Sequence, residues 1–209
     1  MTENELQNLL KQYHVPKHIM SHMQKVADVA LFIGKKLSEK NIRIDMELLR
    51  QAALLHDLVK ICDLSELDLT DCEGFTAEDI QFWAHMIRSC RYDGHVNAAY
   101  NILIDLKENK LAEIVKKHRF NSVIDANHKE RPVTWEEKIL YYADKRVRHE
   151  SIVSIKERIE DGRRRYFPEG KIPPDERLVE KQILKLETEL CRLAGIAPED
   201  INKTNLQET

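Results

Sequence analysis

His56-Asp57 stands directly after the apolar run Ala52-Ala53-Leu54-Leu55. An imidazole and a carboxylate at the end of a buried helical face are costly unless they are paired or bind a metal. Neutral imidazole and carboxylate are also the usual ligand pair for a hydrolytic transition metal. Other polar residues sit on or beside apolar helix faces in the same way. His22 shares a face with Val26 and Val29, His118 follows Ile114 and Val115, and His95 opens the stretch Val96 to Leu103. Asp144 closes Leu140-Tyr141-Tyr142-Ala143, inside a helix where aspartate has poor propensity. Singly, each histidine is more simply a core or surface imidazole, and Asp144 a buried partner of Lys145 or an arginine. Together, such coincidences on separate helices predict metal ligands converging in a bundle core.

The elements that must position them read as helical almost throughout. Leu6, Leu9 and Leu10 predict a short first helix, and Pro16 opens a second that runs to about Ser38. Asp45 caps a third that leads to His56-Asp57. Cys62 to Gly74 is acidic and irregular and reads as a loop, with Thr76 as the next cap, before Ile80, Trp83 and Ile87. Gly94 breaks that helix and another begins near His95. A short helix over Leu111 to Phe120 carries His118, with a further turn over Asn121 to Ala126. Thr134 and Glu137 form a capping box before Ile139, and helices follow near 151–166 and 175–194. In the last of these Leu178, Ile183, Leu186 and Leu190 form the apolar stripe, expected to pack on the domain or on a second subunit. No repeat, low-complexity tract or long linker divides the chain. It is expected to be one all-α domain over 1–209, with the motif-bearing core at about 16–150 and a C-terminal helical extension at about 151–195.

Composition agrees with this and excludes several classes. Hydrophobic residues make up 42% of the 209, enough for a real core, and six glycines leave little room for a β-sandwich. A net charge of -3 gives no reason to expect nucleic acid or an anionic membrane as a partner of the whole chain. Cys62, Cys72, Cys90 and Cys191 lack any CxxC spacing and read as free thiols in a reducing compartment. The charged amphipathic N-terminus is not a signal peptide, and no apolar run has the length of a membrane span. A cytoplasmic location is the default expectation.

The order His22, then AALLHDLVK (Ala52 to Lys60), then YYADKRV (Tyr141 to Val147) resembles the HD superfamily of metal-dependent phosphohydrolases. The resemblance covers roughly His22 to Val147 and implies an all-α fold of at least five core helices. It also implies metal ligation by His22, His56, Asp57 and Asp144. HVNAAYNIL (His95 to Leu103) and IVKKHRF resemble the segments that hold a second metal in the binuclear subfamilies. That similarity implies a site of His22, His56, Asp57, His95, His118 and Asp144, with Asp57 bridging. The sequence departs from the pattern at Ala99, where glycine is usual, and in having a single histidine before Arg119. Lys60 resembles the lysine of HDxxK, which the family uses near the substrate phosphate.

The chemistry suits these residues. Two cations about 3.5–4 Å apart share a bridging water, lower its pKa toward neutrality and hold the oxygens of a phosphoryl group. Imidazole and carboxylate suit Fe or Mn, with Ni, Co, Zn and Mg as further candidates, and affinity order alone does not choose among them. A positioned cation stabilises developing phosphoryl charge, a role open to Lys60, and Arg146 and Arg148 follow Asp144 closely enough to contact substrate. For these charges the plainer alternative is a solvated run or an ordinary ion pair.

His85 is a weaker candidate for lining the pocket, and His128 and His149 stand in polar surroundings. Arg163-Arg164-Arg165-Tyr166 is a basic patch with an aromatic, suited to a nucleotide or RNA or simply to a solvated helix end. The expectation is therefore hydrolysis of a small phosphorylated metabolite, a nucleotide or a dinucleoside polyphosphate, by a chain that can form a homodimer. The alternatives are a non-catalytic ligand-sensing or RNA-associated HD module, and an oxygenase that uses a similar di-iron ligand set.

Overall fold

The computed structural model describes residues 1–64, 75–90, 93–125 and 129–207. Among these the chain forms helices α1 (Glu3–Gln12), α2 (Lys17–Ser38), α3 (Met46–Leu55), α4 (Ala77–Ser89), α5 (Gly94–Asp105), α6 (Asn109–Lys116) and α7 (Trp135–Lys145). A two-stranded antiparallel hairpin of β1 (Val147–Arg148) and β2 (Ser151–Ile152) follows. Helices α8 (Ile155–Tyr166), α9 (Pro174–Ala194) and α10 (Lys203–Gln207) complete the chain. The fold is all-α, with the hairpin as a short interruption.

Helix starts follow local chemistry. Thr2, Thr76, Thr134 and Ser154 each accept from the third residue of their helix, whose carboxylate returns the bond to the cap backbone. Asp45 caps α3 through Leu48 N. α2 is the central element: Met23, Val26, Ala27, Val29, Ala30 and Ile33 are all buried, and it packs against α3, α7 and α9. Gly34 permits the close approach to α3, since a Cβ there would stand 2.9 Å from Met46 Sδ. Tyr141 and Tyr142 of α7 are fully buried beneath it.

Several elements differ from the sequence expectations. α3 stops at Leu55, so His56 is its cap and Asp57 lies in the turn beyond. α6 stops at Lys116 because the Val115 carbonyl turns to His118, which therefore stands in a turn and not on the helix. The helix expected from about 151 begins at Ile155, where Ser154 caps it, and residues 147–152 pair as the hairpin. In α9 the buried stripe includes Val179 while Leu178 is exposed, a shift of one residue around the helix. The expected loop from Cys62 begins as a 3-10 turn over Lys60–Asp63, and residues 65–74, with Cys72, lie outside the described residues.

Candidate metal centre

Six side chains from separate elements meet at the centre of the bundle. α2 supplies His22, the end of α3 supplies His56 and Asp57, and the first turn of α5 supplies His95. His118 comes from the turn after α6, and Asp144 from the last turn of α7. They fall into two groups, His22–His56–Asp144 and Asp57–His95–His118, and in each the ligand atoms lie within 4.8 Å of one another.

Asp57 stands between the groups and turns one oxygen to each. Its Oδ2 lies 3.8 Å from His22 Nε2 and 3.6 Å from His56 Nε2. Its Oδ1 lies 3.1 Å from His95 Nε2 and 3.5 Å from His118 Nε2. Asp144 Oδ1 closes the first group, 3.3 Å from His22 Nε2 and 3.5 Å from His56 Nε2. His95 Nε2 and His118 Nε2 face each other at 3.1 Å.

The outer atom of every imidazole is fixed. His22 Nδ1 donates to the His149 carbonyl (2.9 Å), His56 Nδ1 to Ala53 (2.8 Å) and His118 Nδ1 to Val115 (2.6 Å). His95 Nδ1 donates to Asp63 Oδ2 at 2.6 Å, and Asp63 Oδ1 also accepts from the His95 backbone N–H at 3.1 Å. These partners only accept, so the proton belongs on Nδ1 and the Nε2 lone pair points inward, as a metal-ligating histidine requires. Lys145 is buried, donates to Asp144 Oδ2 at 2.6 Å and to the His118 carbonyl at 2.7 Å, and so ties the two groups together.

Within the centre, the buried His56 Nε2 and Asp57 Oδ1 have no hydrogen-bond partner among the described residues. Asp57 Oδ1 has imidazole nitrogens close by, yet none aligned to donate to it. Orphaned buried polar atoms are rare and costly, and nitrogen lone pairs crowded against carboxylate oxygens are the environment a divalent cation satisfies. The donor set therefore fits divalent metal ions.

Electrostatics keep both carboxylates and the His118 imidazole in a ligating state. Burial works to raise the Asp57 carboxyl, but His56, His118, His95 and Lys60 hold it well below the usual range. Asp144 is likewise opposed by burial and held low by Lys145 and the His22 and His56 bonds. Burial pulls the His118 imidazole down to about 4, which leaves it neutral at physiological pH. Burial acts to lower His56, and the Asp57 and Asp144 carboxylates outweigh it and raise it.

The remaining candidates are distributed unevenly. Lys60 Nζ lies beside the second group, 3.3 Å from His95 Nε2, 3.7 Å from Asp57 Oδ1 and 3.3 Å from Asp63 Oδ2, with its side chain 40% exposed. Arg146 is a correction. It is buried, and its guanidinium donates to the Val153, Pro198 and Ile201 carbonyls and to the Tyr142 hydroxyl. Every arm is held by Val153 after the hairpin, by α7 or by the C-terminal segment, so no face is presented to a phosphate. Arg148 is partly exposed and pairs with Asp161 on α8. His85 is exposed on α4 beside Ser89, and His128 lies outside the described residues. Cys62 and Cys90 are buried thiols, and burial and the Cys90 neighbour push Cys62 up, away from a ligating thiolate. The pairing of Asp144 with buried Lys145 is the plainer alternative read from the sequence. Sequence reasoning missed Asp63 as the support of His95 and the His149 carbonyl behind His22, and of these only Asp63 had a sequence signal, its position one turn beyond Lys60.

Fold and centre together define an all-α domain built around a candidate metal centre. The family model of the HD domain matches residues 19–148, more than half of the chain, and the chain belongs to that family. No curated protein and no solved structure matches it. The matched segment contains all six converging side chains and Lys60, whereas α8, α9 and α10 lie beyond it. No helix among the described residues is long and apolar enough to cross a membrane.

Proposed function

We propose that the chain is a metal-dependent phosphohydrolase that acts on a small phosphorylated metabolite, a nucleotide or dinucleoside polyphosphate. The observation that carries the reading is the division of Asp57, with Oδ2 toward His22 and His56 and Oδ1 toward His95 and His118. In this reading His22, His56, Asp144 and Asp57 hold one ion, and His95, His118 and Asp57 hold the other. Fe or Mn is the first choice for this donor set, ahead of Ni, Co, Zn or Mg.

Divalent ions in these positions supply the Lewis acidity that brings the pKa of a water toward neutrality and polarises a phosphoryl oxygen. The protein supplies the rest. The carbonyls behind His22, His56 and His118 hold each ring in place, and Lys145 keeps Asp144 ionised and aimed. Lys60 stands beside the second group, where its ammonium can meet a phosphate oxygen as charge develops on it. Asp57 and Lys60 are thus the residues assigned to the reacting end of the site, with Arg148 further out along the hairpin.

The test is phosphate release from a panel of mononucleotides and dinucleoside polyphosphates with added Mn or Fe. Turnover that disappears on chelation and returns with metal is the expected result. Tight binding of these compounds with no turnover under any metal would instead favour a sensing module.

A further inference from the structure

Arginines of the hairpin and α8 converge on one carboxylate beside the metal centre. Asp161 lies 3.7 Å from Arg148 Nη1, 3.9 Å from Arg158 Nη1, 3.5 Å from Arg164 Nη2 and 2.6 Å from Arg165 Nη2. One carboxylate among four guanidiniums leaves a clear local excess of positive charge. The acid is the covered member, with its side chain 16% exposed, against 31% for Arg158 and 47% for Arg165. Glu157, one turn before Asp161, accepts the Ser154 N–H and hydroxyl at Oε2 and keeps its charge, so the four guanidiniums outnumber these two carboxylates.

The cluster adjoins the centre. The hairpin that carries Arg148 is the one whose next residue, His149, holds His22 through its carbonyl. Arg158 comes from the first turn of α8, and its Nε–H is buried with no partner.

The basic run Arg163-Arg164-Arg165 is also not one face. Arg163 turns away to pair with Glu180 on α9, through Nε at 2.8 Å, while Arg164 and Arg165 turn to Asp161. A nucleic-acid strand needs a basic groove that tracks its backbone, and here the charge is gathered at one spot. A compact polyanion fits it better.

We propose that Arg148, Arg158 and Arg165 form a second phosphate subsite next to the metal centre, so that the substrate carries two or more phosphates in a chain. The assignment rests on the phosphohydrolase reading for its place in the reaction. Arg148 is the last residue of the segment matched by the family and Arg158 and Arg165 lie beyond it, so the subsite joins that segment to α8.

Calorimetric titration of the full chain, with and without metal, tests it with inorganic tripolyphosphate against orthophosphate. Tripolyphosphate is expected to bind about tenfold more tightly or better, and Arg158→Gln to remove about tenfold of that affinity. Arg158→Lys should recover only part of the loss, because the planar fork is gone. Arg165→Gln, at an exposed position, should weaken tripolyphosphate about threefold. Orthophosphate affinity and metal content should hold in every variant. Unchanged tripolyphosphate affinity in both Arg158→Gln and Arg165→Gln overturns the proposal. So does a single-stranded RNA oligonucleotide that loses affinity in these variants while tripolyphosphate does not. A protein that binds tripolyphosphate as expected but turns over no nucleotide would sink the hydrolase reading and leave the subsite standing.

Discussion

The two halves of the centre are supported by different kinds of structure. His22, His56 and Asp144 come from α2, α3 and α7, the helices packed around the fully buried Tyr141, Tyr142, Met23 and Leu55. Their outer atoms are held by the His149 and Ala53 carbonyls and by the buried Lys145. On the other side, His118 has the same kind of support from the Val115 carbonyl, but His95 does not. It stands at the start of α5, just after Gly94, whose φ of +69° is a conformation that glycine adopts without strain. Its ring is held by Asp63, a side chain 40% exposed. The Ala53 carbonyl in packed α3 has no freedom to leave its ring and the His149 carbonyl is fixed by the hairpin turn, whereas a half-exposed carboxylate has rotamers and water as competitors. The first group is therefore the rigid half, and the second is tuned by Asp63 and Lys60.

The largest effect should come where the halves share an atom pair. Asp57→Ala is expected to lose both ions, read by elemental analysis, and to lower turnover at least on the order of a thousandfold. Retention of one full equivalent would show that the halves do not depend on a common bridge. Asp63→Asn should act on one half alone. Loss of its carboxylate is expected to weaken one ion by about 10–100-fold, with the other unchanged in a metal titration. Equal weakening of both would erase the difference in support argued above. The smallest effect on the centre belongs to Arg146→Met. It should leave metal content per folded chain intact while lowering stability by about 3 kcal/mol in urea unfolding, because the Val153, Pro198 and Ile201 carbonyls lose a buried cationic donor. A change in phosphate affinity without a stability loss would restore Arg146 as a substrate contact.

Much of the helical frame was legible along the chain because it is written in local chemistry. Capping residues at Asp45, Thr76 and Thr134 and the apolar spacing of α2 lie within a few residues of what they specify. The misplacements fall where tertiary contacts override that spacing. His118 leaves α6 because its ring takes the Val115 carbonyl, and residues 147–152 pair as a hairpin although the pattern reads as helix. Arg146 looked available because it follows Asp144 by two residues. The C-terminal segment folds back over it, a contact with residues 198 and 201 that no local pattern announces.

The sequence by itself determined the kinds of donor and the elements that carry them. Imidazole and carboxylate after apolar runs are costly without a partner, so His56-Asp57 and Asp144 stand out wherever they are met. Tertiary structure alone decided that Asp57 presents a different oxygen to each group, and that carbonyls of His149, Ala53 and Val115 set the histidine tautomers. Every residue carries a carbonyl, so the choice of which one meets a ring leaves no trace in residue type and exists only once the helices have packed.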